Sequence, residues 1–210
     1  EAALLSLVFF GLPLMTRPDL RDALRRGRRS LGYFACLGAG FIFVEICLIQ
    51  RLILFLGAPV YSIATILCSL LVFAGLGSLA SGRIPAEPRA MRGLLWAVAA
   101  AVLLTYHLMP LATDAFLGSP LGVRIGVAMA CTGVAGFLMG MPMPTAIRML
   151  SAENRPLIPW AWATNGFFTV VGSAVAVLLA STVSFGAVFH SAAALYALAP
   201  LFLRRDAPRP

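Results

Sequence analysis

The chain has 210 residues, 60% hydrophobic and 11% charged, and its 16 basic residues, all arginine, face 8 carboxylates for a formal net charge of +8. Soluble domains carry charge on roughly a quarter of their residues, so this balance, with a mean hydropathy of +0.93, excludes a water-soluble globular enzyme and reads as an integral membrane protein. The arginines fall in a few short segments, so the excess reports membrane orientation rather than nucleic-acid binding.

In chain order, Ala2–Met15 is apolar but about six residues short of the roughly twenty that cross the hydrocarbon core. The chain opens on Glu1 and not on Met, so it is expected to be a piece of a longer protein whose first helix is cut. A signal peptide fits less well, because the basic cluster follows the apolar run. Thr16–Ser30 carries Arg17, Arg21, Arg25, Arg26, Arg28 and Arg29 against Asp19 and Asp22, the mark of a cytoplasmic loop.

From there the assignment propagates. Leu31–Phe55 runs outward, the chain turns at Gly57-Ala58-Pro59, and Pro59–Ser81 returns to a basic loop with Arg83, Arg89 and Arg92. Gly93–Leu111 leads to an arginine-free loop holding Asp114, and Leu121–Met141 returns to a connection, Pro142–Pro159, with Arg148 and Arg155. Trp160–Thr182 goes out, Ser184-Phe185-Gly186 turns, and Ala187–Leu203 comes back to Arg204, Arg205 and Arg209. Every expected inner segment is basic and no outer loop holds an arginine. The expectation is an all-α polytopic transmembrane bundle of about seven spans, a single domain over 1–210, with its carboxyl end in the cytoplasm of a bacterial inner membrane.

Polar residues within the spans are the functional candidates, because a charged group at the bilayer centre is costly and is kept when paired or used. Glu45 lies in mid-span, with Gln50 and Arg51 further along the same helix. Arg51 and Arg124 fall just inside the expected outer ends, where they either snorkel to the headgroups or pair with Glu45 or Asp114. Glu45 and Arg51 are six apart and occupy different helix faces. On the sixth span Trp162, Asn165, Thr169, Gly172, Ser173 and Ala176 form a stripe expected to look into the bundle, as interhelical glue or as ligand lining.

The other patterns weigh toward packing. Gly32-x-x-x-Cys36-x-x-x-Gly40 and Gly136-x-x-x-Gly140 let helices approach closely. Gly75-x-Gly77-x-x-Ala80 matches a dinucleotide fingerprint as a string, but it sits in an apolar helix with no preceding strand, so it too reads as packing. Met141-Pro142-Met143-Pro144 should break the fifth span before a short amphipathic piece with Arg148 outward. Cys36, Cys47, Cys68 and Cys131 lie in apolar segments and read as reduced, buried and not zinc-binding. His107 and His190, near the outer ends of their helices, are weak haem ligand candidates. No nucleophile–base set at catalytic spacing occurs, so a catalytic domain would lie outside this chain, and the residues call for no cofactor.

The run Gly40-Phe41-Ile42-Phe43-Val44-Glu45-Ile46-Cys47-Leu48-Ile49-Gln50-Arg51, with Leu54-Phe55-Leu56-Gly57-Ala58-Pro59 and Gly75-Leu76-Gly77-Ser78, resembles the membrane part of bacterial spermidine-synthase-like integral membrane proteins. Gly136-Phe137-Leu138-Met139-Gly140-Met141-Pro142 and Pro159-Trp160-Ala161-Trp162-Ala163-Thr164-Asn165-Gly166, with Gly172-Ser173, are similar to the same group. Members often join such helices to a soluble aminopropyltransferase-like domain of Rossmann type, which this chain lacks, so no catalytic role carries over to any residue here. The chain departs from the family at Ala58, where the pattern has a histidine beside the proline, and no proton or metal role is carried to that turn.

Together these readings favour a transport or permease-like module for a small polar or cationic solute such as a polyamine. Its ligand residues would be Glu45, Gln50, Arg51, Arg124, Trp162, Asn165 and Thr169. The alternative is a non-catalytic anchor and scaffold for a fused or associated aminopropyltransferase-like enzyme, and the third is a haem-binding membrane electron carrier. The lipid bilayer is the one partner common to all three, and nucleic acid is not expected.

Overall fold

The computed structural model describes residues 18–203, with side chains from residue 27 onward. The described residues form helices throughout, with no strand: α1 Pro18–Leu56, α2 Pro59–Ala80, α3 Pro88–Phe116, α4 Leu121–Met139, α5 Pro142–Glu153, α6 Ile158–Thr182 and α7 Phe185–Leu198, joined in part by single 3-10 turns. Among them six stretches are long and apolar enough to cross a membrane: Gly27–Leu56, Pro59–Arg83, Pro88–Phe116, Leu121–Glu153, Arg155–Thr182 and Phe185–Phe202. They coincide with six of the spans read from sequence. The other, Ala2–Met15, lies outside the described residues, as do Arg17 and the tail from Arg204.

Local chemistry sets the boundaries. Proline occupies the first turns of α2, α3, α5 and α6, where its missing N–H costs nothing. Gly57 ends α1 with φ 87°, a left-handed conformation that any side chain would strain. Ser184 caps α7 by accepting the Ala187 N–H at 3.1 Å. The break expected at Met141-Pro142 is present, between α4 and α5.

Two expected loops are helical instead. Thr16–Ser30 is helix from Pro18 on, so α1 has 39 residues and runs about 58 Å, well past the thickness of a bilayer. Pro110 lies inside α3 without ending it, so Asp114 sits on the last turn of that helix and not in a loop. A proline near a helix end loses one backbone bond that neighbouring turns absorb, and the apolar run on either side outweighs it.

Five helices close a ring in the order α1, α2, α4, α3, α7, and α6 packs on the outside against α1 and α7. Val44, Cys47, Leu48, Leu95, Val98, Val102 and Phe189 fill the ring with no exposed surface. Glycines set the closest approaches. A Cβ on Gly77 would meet the Phe137 carbonyl and one on Gly140 the Ala74 backbone, so α2 and α4 touch backbone to backbone at both points. Ser69 Oγ and Thr132 Oγ1, 2.6 Å apart, join the same two helices. Gly77 therefore works in packing, as the rejected nucleotide string implied, while Gly75 faces open space.

Candidate functional site

Helix α1 carries the intramembrane carboxylate, and its neighbour α6 decides what surrounds it. At Gly38 the two backbones approach so closely that a Cβ would strike the Asn165 carbonyl. One turn on, Gly172 of α6 meets Ala39 and Ile42. Asn165 Nδ2 donates to the Phe34 carbonyl at 3.3 Å, and Thr169 Oγ1 donates to Asn165 O at 2.9 Å, with Gly38 O further off at 3.5 Å. Gly38, Ile42, Glu45 and Ile49 follow helical steps of four, three and four, so the α6-facing side of α1 continues through Glu45. Glu45 is half-buried on this seam and has no hydrogen-bond or ionic partner among the described residues.

The stripe expected to line a ligand site is largely spent on packing. Asn165 and Thr169 hold α6 to α1, and Ser173 Oγ turns back to Val170 O at 2.7 Å. Trp162 is 58% exposed and Gln50 is exposed, so neither looks into the bundle. The stripe is wider than the face that α6 turns to α1 and α7, so Trp162 stays outside.

Neither arginine reaches a carboxylate among the described residues. The Arg51 guanidinium lies 4.6 Å from the centre of the Tyr106 ring, a cation–π contact. Arg124 Nη1 donates to Phe55 O at 2.7 Å, satisfying a carbonyl at the end of α1 and placing positive charge at that helix's negative pole. Its Nε is buried with no partner among the described residues. Asp114 is exposed on α3 and is paired with neither arginine.

His107 and His190 come together beside Arg51. Their ring centroids are 6.1 Å apart, and Tyr106 contacts both rings, at 4.9 and 5.3 Å. His190 Nδ1 is 2.7 Å from Gly186 O, and both imidazoles are exposed. No group of three or more His, Cys, Asp or Glu placed to share a metal occurs among the described residues. All four cysteines are free thiols; Cys47 is buried as expected, Cys36 and Cys131 are half-buried, and Cys68 is exposed on the outer face of α2.

Arg148 departs most from the sequence reading. It turns inward, not outward, and its guanidinium donates to Ser81 O at 2.8 Å, Ile84 O at 3.1 Å, Ser81 Oγ at 3.2 Å and Thr145 Oγ1 at 3.3 Å, clasping the end of α2. Ser81 and Arg148 lie on opposite sides of two spans, and only the break at Gly140-Met141 brings them together. Ser62 Oγ donating to Ile49 O and Tyr33 OH donating to Pro142 O at 3.3 Å were likewise illegible, since each joins residues on different helices.

Comparison of the chain with protein-family models, with curated proteins and with solved structures finds no match.

Proposed function

We propose that this chain is a transport or permease-like membrane module that takes a small cation or a proton at Glu45, on the seam between α1 and α6. One observation carries the reading. Glu45 is a half-buried intramembrane carboxylate with no partner among the described residues, while Arg51 and Arg124, the arginines expected to pair with it, are committed to Tyr106 and Phe55 O. A carboxylate held in low dielectric gains from binding an ammonium or a proton, either of which removes its charge.

Asn165 and Thr169 pin the seam at Phe34 and Gly38, about three and two helical turns from Glu45, and among the described residues no hydrogen bond joins α1 to α6 nearer the carboxylate. This leaves the Glu45 level of the seam as the part that can admit a solute. The arginine distribution supports placing the Arg83, Arg89 and Arg155 end, and with it the carboxyl terminus, in the cytoplasm of an inner membrane. Under the resemblance to spermidine-synthase-like membrane proteins, polyamines are the first solutes to try.

The test is uptake of labelled putrescine or spermidine, and of protons by an entrapped pH dye, into proteoliposomes holding wild type or Glu45→Gln. Uptake by wild type that the substitution abolishes supports the proposal; equal fluxes, or none by either protein, overturn it. The use of Asn165 and Thr169 as interhelical glue favours the second reading, a membrane scaffold for an aminopropyltransferase-like domain, which a reading frame continuing into a Rossmann fingerprint would support.

A further inference from the structure

At the arginine-rich end of the bundle a cavity of about 500 Å³ opens between α1, α5 and the turn after α7. Arg28, Arg29 and Ser30 line it from α1, while Phe34, Leu150 and Phe202 supply an apolar wall. Arg28 and Arg29 are exposed and make no hydrogen bond or ion pair with described residues. Glu153 also lines the cavity, so its edge carries two guanidinium groups and one carboxylate. The apolar run of α1 begins at Leu31, just after both arginines, which puts them at the depth of lipid headgroups. Arg148, on the opposite wall's helix, is already held by Ser81 and Ile84 and does not compete.

We infer that this cavity is a binding site for the phosphate headgroup of an anionic phospholipid from the leaflet at that end. Two guanidinium groups give paired, charge-assisted donors suited to phosphate oxygens. The volume lies in the range of sites for small ligands. Two features favour a lipid over a soluble phosphate. Phe34, Leu150 and Phe202 give the cavity apolar lining, and it shares Phe202 with a second, almost wholly apolar groove of about 510 Å³ that runs along α1 between α6 and α7. A headgroup in the first has apolar surface beside it for its glycerol and acyl carbons.

Native mass spectrometry of the detergent-purified protein tests this with added phosphatidylglycerol, phosphatidylcholine and inorganic phosphate. Wild type is expected to retain phosphatidylglycerol in preference to phosphatidylcholine, and Arg28→Gln/Arg29→Gln to bind it about 25-fold more weakly, from the share each basic residue contributes near an anionic surface. Arg155→Gln, exposed and outside the cavity, should bind as wild type does. Equal binding by the double variant overturns the site, as does an equal loss in Arg155→Gln, which would mean general surface charge. Displacement by millimolar inorganic phosphate overturns the lipid assignment. Should the double variant not fold, Arg28→Lys/Arg29→Lys keeps the charge without the planar fork, and undiminished selectivity there counts against paired guanidinium recognition.

Discussion

Arg124 Nη1 and the Phe55 carbonyl, 2.7 Å apart, tie the start of α4 to the end of α1 across the bundle. The bond closes the arginine-poor end of the ring. A guanidinium satisfies a terminal helix carbonyl and also carries charge opposite to the helix dipole there, with further N–H donors in a planar fork. Arg124→Gln should cost about 1.5–3 kcal/mol, the range for a hydrogen bond to a charged group. Thermal unfolding in detergent reads this, and a Tm unchanged from wild type would mean that the arginine only anchors the chain at the interface.

Glycine at the α2–α4 contact gives a paired test within three residues. Gly77→Ala drives a methyl into the Phe137 backbone, whereas Gly75→Ala points into open space. Overpacking against backbone costs about 1–3 kcal/mol, while the second change should be neutral or slightly stabilising because alanine suits a helix better than glycine. Gly77→Ala should therefore melt below wild type, and Gly75→Ala at or slightly above it. Equal effects would place the contact elsewhere.

This pair also marks what the sequence carries and what it does not. Spans are legible because twenty apolar residues and a turn are local facts, and the Gly57 turn, the Met141-Pro142 break and the Gly136-x-x-x-Gly140 packing face follow from them. Which face of α6 meets α1 is not local. The polar stripe named Trp162 and Asn165 together, yet the seam keeps Asn165 while leaving Trp162 outside. Arg148 read as outward on a short amphipathic helix. It is inward because the end of α2 offers it Ser81 and Ile84 carbonyls, a demand written two spans away.

Orientation is testable by labelling. In a background with the four native cysteines replaced by alanine, Ala86→Cys sits in the turn before α3 and Gly118→Cys in the turn after it, at opposite ends of one span. The arginine distribution predicts that a membrane-impermeant maleimide added outside intact cells labels Gly118→Cys and reaches Ala86→Cys only after lysis. The reverse pattern would invert the topology and move the arginine cavity to the outer leaflet.

Glu45 gives the test that separates a working carboxylate from a structural one. A paired buried charge is strongly destabilising to remove, by about 3–5 kcal/mol, because its partner is left exposed to low dielectric. An unpaired carboxylate has the opposite sign: its neutral isostere relieves a desolvation cost and orphans nothing. Glu45 has no partner among the described residues, so Glu45→Gln should melt at or above the wild-type temperature while losing solute or proton uptake. Glu45→Asp keeps the charge on a stem shorter by one methylene and should retain partial uptake. A fall in melting temperature for Glu45→Gln as large as that for Arg124→Gln would instead make Glu45 part of the helix packing, and the seam between α1 and α6 would lose its claim to a solute.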